Sequence, residues 1–247
     1  MRNLPGTHYA DADHAKIIEI IREKCTPGMR VREQFRTLFY FVRDEIPFGF
    51  PPVWDYVKAL QTLEFGVGYC NTKSILLQAL CQAAHIPVRL RAGLINTRVM
   101  KHIFPNWAFP FLPPGASHMW IKVALEDGWH EVDAHIIDYP LLVAAKAMLF
   151  KEKEFSFGYG LGPIDPQIEG DWNQGFVQTG ALIEDHGEWE EAADFYTSAL
   201  YHPLNWFHKL TMPMVRTVSN HTLAAYRNYG HSLLRKQQTL QREPVEG

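Results

Sequence analysis

Cys70 opens the stretch of this chain whose residue types and spacing propose a reaction. It follows Gly66-Val67-Gly68-Tyr69 and begins a strongly apolar, helix-patterned run, CNTKSILLQALCQAA. A thiol at a helix start lies where unpaired amide groups and the helix dipole favour its thiolate, the nucleophilic form. Downstream, SHMWIKVALEDGWHEVDAH supplies His118 and Asp133 on two stretches that read as adjacent strands. A cysteine nucleophile, a histidine that takes and returns a proton, and an aspartate that fixes the histidine's tautomer are what attack on an amide or ester carbonyl requires.

These three residues need a helix and a sheet to carry them. Apolar residues at Ile75, Leu76, Ala79, Leu80 and Ala83 predict a helix over 70–84 with one buried face and Cys70 at its mouth. Strands are predicted over 86–96, 118–126 and 129–136, the last two joined at Asp127-Gly128, a strong hairpin turn pair. That turn pairs Glu126 with Trp129 and brings Lys122 opposite Asp133, leaving His118 near the level of Ile137. A bulge, a longer turn or an intervening strand must close the offset. Before the cysteine lie helices over 12–25, with Asp11 or Asp13 as N-cap, and over 30–46, ended by Pro47, then a short one at KALQTLEFG stopped by Gly66. The proline- and aromatic-rich loop RVMKHIFPNWAFPFLPPGAS lies between strands, where it faces a substrate or forms a flap over the core.

At 247 residues and 47% apolar composition the chain buries one substantial core. The expected division is a core with N-terminal helices over 1–140 and a mostly helical extension packed on it over 141–247, including a long helix from about 205 to 238. A net charge of −3, with basic residues scattered among acids, argues against nucleic acid as a partner. No window approaches the ~20 apolar residues of a membrane span, so no membrane is expected. MRNLPGTHYADADHAK reads as neither a signal peptide nor a lipidation signal. Three cysteines, Cys25, Cys70 and Cys81, mark no secreted disulfide framework and fit a reducing, cytoplasmic setting.

The string G-x-G-x-C-x-x-K-x-x-L-L-x-A-L-C-x-A-x-x-I-P-x-R, then H-x-W, then W-x-x-V-D-A, resembles the transglutaminase-like superfamily of papain-like cysteine enzymes over roughly residues 30–140. The resemblance implies an α+β fold, with a nucleophile-bearing helix on an antiparallel sheet and further N- and C-terminal helices. It also implies a Cys70–His118–Asp133 triad and a thioester intermediate. His85 stands where that family usually has glycine after the cysteine helix, and histidine tolerates such a left-handed helix end. An oxyanion would be held by the Cys70 N–H and one side-chain donor, with Gln61 and Trp54 preferred as candidates over Tyr69. Tyr69 and Trp107 are candidates for contact with substrate.

Other residues are expected to be structural. Cys81 lies within the apolar helix face. Lys73 is expected to pair with an acid or face water, and Trp120 and Trp129 to join the sheet's core. His118, His130, Asp133 and His135 match no tight zinc spacing, so neither metal nor cofactor is expected. Two function classes follow. One is an enzyme acting on amide bonds of a peptide, protein or small molecule, by hydrolysis, deamidation or acyl transfer; the other is a non-catalytic binding or scaffold protein on the same fold. Oligomeric state is not legible.

Overall fold

The computed structural model describes residues 8–54, 56–151, 157–163, 167–173, 176–203 and 206–242. The fold is α+β, with helices packed on a four-stranded antiparallel sheet. Helix α1 (Ala15–Lys24) buries Ile17 and Ile20. Its cap is His14, whose Nδ1 accepts the Lys16 N–H, and neither predicted aspartate caps it; the Asp11 carboxylate is instead taken by the Lys58 ammonium at 3.0 Å. Helix α2 (Val31–Tyr40) buries Phe35, Leu38 and Phe39 and runs on as a π turn through Glu45, just before Pro47. Helix α3 (Ala59–Phe65) ends at Gly66, which takes the left-handed conformation.

Helix α4 (Cys70–Ala83) is buried from Cys70 through Cys81, on every side rather than on one face. The reason is its position between layers: the sheet covers one side and α1, α2 and α3 the other. Its polar side chains therefore find partners inside, with the Gln78 Oε1 left unpaired among the described residues. Ser74 donates to the Met119 carbonyl at 2.9 Å and Gln78 to the Glu190 carbonyl at 2.7 Å. Lys73 neither faces water nor bonds an acid. Its ammonium donates to the Arg43 carbonyl at 3.1 Å, and burial pulls its pKa down to about 7. Past the helix, His85 adopts φ 56°.

The sheet is ordered β3-β2-β1-β4, from β1 (Val88–Asn96), β2 (Gly115–Leu125), β3 (Gly128–Val132) and β4 (Leu182–Trp189). Leu90 and Ala92 of β1 lie beside Ile121 and Met119 of β2 and are fully buried. The hairpin turn is Glu126-Asp127, one residue earlier than predicted, because Leu125 pairs with Gly128 and Lys122 with Glu131. Gly128, at φ 127°, starts β3 instead of sitting in the turn. Asp133 thus falls just beyond the strand's end, two positions from the predicted pairing. Trp129 is 48% exposed, not core: it sits opposite Ala124 on the outer face, near the Lys122 ammonium and the Arg89 guanidinium.

The region after residue 140 is not only a helical cover. Helix α5 (Tyr139–Lys151) packs directly against the long α7 (Trp206–Arg242), the short α6 (Ala192–Thr197) lies against β4, and β4 completes the sheet along β1. Gly93 makes that approach possible: a Cβ there would stand 2.5 Å from the Glu184 carbonyl oxygen. Helix α7 reaches back to the chain's first third. Asn220 exchanges two 2.9 Å bonds with the Phe50 backbone, and Arg227 holds the Phe48 carbonyl and the Asp138 carboxylate. No helix among the described residues is long and apolar enough to cross a membrane.

Candidate active site

Cys70 is the first residue of α4, and Tyr69, in an extended conformation, is its cap. The turn before it is tight. A Cβ on Gly68 would lie 2.6 Å from the Thr72 hydroxyl and 2.9 Å from the Lys73 side chain. The Thr72 hydroxyl in turn accepts the Tyr69 N–H at 3.0 Å, which fixes the head of the helix. Cys70 Sγ lies 3.4 Å from Asn71 Oδ1 and 4.0 Å from the Ser117 carbonyl, both acceptors for a thiol proton. The side chain is almost wholly buried, and desolvation pushes the thiol up to about 12, against the pull of nearby backbone N–H groups. The expected thiolate is thus not the resting form, because loss of water outweighs the helix terminus.

His118 sits on β2 directly opposite Gly93 and is fully buried, its ring stacked on Trp120 at 5.5 Å. Desolvation pulls its pKa down to about 3, so it is neutral at rest. Its Nε2 lies 3.4 Å from the Thr179 hydroxyl, while Nδ1 has no partner among the described residues. Asp133 does not bond His118 directly. Its carboxylate accepts the N–H groups of Val177, Gln178 and Thr179 at 2.7–2.8 Å, and the Thr179 hydroxyl at 2.8 Å. Burial pushes the Asp133 carboxyl up while these four donors oppose the shift. Four donors can be met only by an acceptor, so they fit the carboxylate. Thr179 therefore stands between His118 and Asp133. With its proton given to Asp133, its oxygen accepts from His118 Nε2–H, which leaves the Nδ1 lone pair free to take a proton.

The remaining candidates separate. Gln61 is not at the cleft: its Oε1 accepts the Lys58 N–H at 2.9 Å and caps α3. Trp54 and Tyr69 both line the cleft beside Cys70, and the Tyr69 hydroxyl donates to the Trp54 carbonyl. Trp107 lines a separate shallow recess with Phe111 and Val215 and is 46% exposed. Its loop reaches the cleft through Phe104, Leu112, Pro113 and Pro114 instead. His135 Nε2 lies 2.9 Å from Ser74 Oγ, a buried tie between α4 and the segment after β3, and His130 bonds Asp127 at the surface. Thr179 was invisible in the sequence. It lies 46 residues beyond Asp133 and belongs to no motif; only the pairing of β4 with β1 brings it in.

Compared with known families, residues 18–134 match the model of the transglutaminase-like superfamily. This stretch is a transglutaminase-like core. The matched core contains Cys70, His118 and Asp133 and ends before α5, β4 and Thr179. Among solved structures, a candidate cysteine protease from Cytophaga hutchinsonii is similar at 14% identity and a TM-score of 0.46, over 80% of this chain and 47% of that one. The chain thus spans about half the length of that protein. No curated protein matches the chain.

Proposed function

We propose that this protein is a cysteine enzyme that cleaves or transfers the acyl group of an amide through a Cys70 thioester. The observation that carries the reading is Cys70 at the head of α4, lining a cleft and against the Ser117 carbonyl, with the following residue of β2, His118, keeping its Nδ1 without a partner among the described residues and its Nε2 tethered through Thr179 to Asp133. As Cys70 Sγ bonds the carbonyl carbon, its proton passes to His118 Nδ1. The first-turn N–H groups of α4 have no intrahelical acceptor and face the developing oxyanion, a contribution typically worth about 2.7–4 kcal/mol. The C–N bond then breaks and His118 returns the proton to the leaving ammonia or amine. Water, or a second amine, resolves the thioester with His118 again taking the proton. Thr179 and Asp133 hold the imidazolium's Nε2–H and its charge. The substrate is a peptide, protein or small amide, and a reducing compartment such as the cytoplasm suits the three free cysteines.

Burial of the thiol and its protonated resting form favour a second reading, a binding or scaffold protein without turnover. Labelling of the native protein with iodoacetamide, read by peptide mass, separates the two. Selective modification of Cys70 over Cys25 and Cys81, lost in His118→Ala, is the result expected of the enzyme. Equal labelling, or labelling indifferent to His118, would select the scaffold.

A further inference from the structure

We infer that the cleft at Cys70 receives a bulky, uncharged apolar acyl group, aromatic or branched aliphatic, with its carbonyl at the Cys70 end. The inference rests on the enzyme reading for the identity of the bound group as an acyl donor; the cleft's chemistry stands by itself. The cleft holds about 420 Å³, within the range of small-molecule sites. None of its described lining residues is a lysine, arginine, aspartate or glutamate. The one histidine among them, His202, is solvent-exposed, so a charged substrate within the cleft would lose hydration with no lysine, arginine, aspartate or glutamate to offset the loss.

The apolar wall is ordered by rings. Phe50 and Trp54 stack at 4.6 Å, Phe104 meets Phe50 edge-on at 5.2 Å, and Tyr69 lies 5.8 Å from Trp54. Leu94, Leu112 and Met212 complete it from three distant parts of the chain. Ring pairs of this kind leave edges and faces that a further flat or branched group can fill.

Polar groups on the lining are mostly engaged with the protein. The Thr97 hydroxyl is shared between the Pro113 and Pro114 carbonyls, and the Tyr69 hydroxyl is held by Trp54. Ser117 differs. The residue lines the cleft next to Cys70, and its hydroxyl, buried just behind that wall, has no partner among the described residues. An orphaned buried hydroxyl is unfavourable unless something completes it. With the thiol and Asn71, it makes a polar end at Cys70 on a cleft whose remaining lining is mostly apolar apart from Thr97, Tyr201 and His202, the pattern of a ligand with a polar head and an apolar body.

The test has two arms on the full chain. In the first, Cys70→Ala is titrated with 2-naphthylacetamide, acetamide and the anion succinamate, followed by tryptophan fluorescence and calorimetry. Saturable binding of the naphthyl amide, at least about tenfold tighter than either small amide, is expected, since each buried methylene contributes about fourfold. Introducing Leu112→Glu, or filling the cleft with Ala116→Phe, should weaken it by about tenfold or more; two independent variants guard against one that misfolds. In the second arm, the wild-type protein is alkylated with iodoacetamide and with N-(naphthylmethyl)iodoacetamide. The S–C bond forms at Cys70 as iodide leaves, and only the naphthyl reagent should show saturation and a rate gain of about tenfold or more. Naphthyl amide binding with an inert Cys70 would keep the apolar site and overturn the enzyme reading. Selective Cys70 alkylation with no naphthyl preference and no binding would overturn the apolar site and keep the enzyme. Failure of both arms would overturn both.

Discussion

Cys70 and Cys81 stand eleven residues apart on one helix, both buried, both with thiol pKa values pushed up by loss of water, and they meet opposite chemistry. Around Cys81 there is packing and, within electrostatic reach, the half-buried Cys25. Around Cys70 there is a cleft, the Asn71 side-chain carbonyl and the Ser117 backbone, and the next residue of β2 is a histidine whose Nδ1 has no partner among the described residues. Burial alone therefore does not tell the proposed nucleophile from a core residue. What separates the two ends of α4 is what the sheet and the later chain place against them.

The largest expected break in this comparison is Cys70→Ala, which should abolish turnover and all cleft-directed labelling. Cys81→Ala should leave both intact and cost about 1 kcal/mol of stability, measured by urea unfolding. Labelling that persists in Cys70→Ala would erase the distinction. Next is His118→Ala, expected to slow base-assisted reaction at Cys70 by about 10²–10⁴ while leaving Cys81 as inert as before. Thr179→Val should slow it by about tenfold and Thr179→Ser restore it, with the pH dependence of labelling shifted in the valine variant only. An unchanged rate and profile would make the hydroxyl a bystander.

The polar end of α4 should also carry an acid sensitivity that the apolar end lacks. His118 and His135 are held neutral by burial, whereas in the unfolded chain each takes up a proton below about pH 6.5. Stability is therefore full above that pH and falls as the pH drops toward the folded His118 value of about 3, by up to about 1.4 kcal/mol per pH unit for each histidine. Unfolding midpoints at pH 7 and pH 5 measure it, and His135→Gln should flatten the slope. The smallest effect is Gln61→Ala, about 0.5 kcal/mol from a lost helix cap, with no change at Cys70.

The parts of this molecule legible in its sequence are those written locally. The helix begun by Cys70, the apolar alternation of β1 and β2, and the glycine-ended α3 follow from periodicity and turn chemistry over a few residues. The hairpin was legible but its register was not, because Gly128 suits a turn and a positive-φ strand start alike. Strand β4, LIEDHGEW, is an edge strand rich in acids with only partial burial, so no apolar alternation marks it. With β4 unseen, Thr179 was unseen too, and with it the hydroxyl that stands between His118 and Asp133.

Asp133 is held by residues 177–179, which lead directly into β4 on its way to pair along β1. A nascent chain halted before residue 177 would hold the thiol, the imidazole and the whole of the matched core, yet leave the carboxylate without its three backbone donors and the imidazole without its tether. The hydrogen bonds that hold Asp133 and the Thr179 link to His118 are thus completed late in synthesis, in the order in which the ribosome delivers the chain.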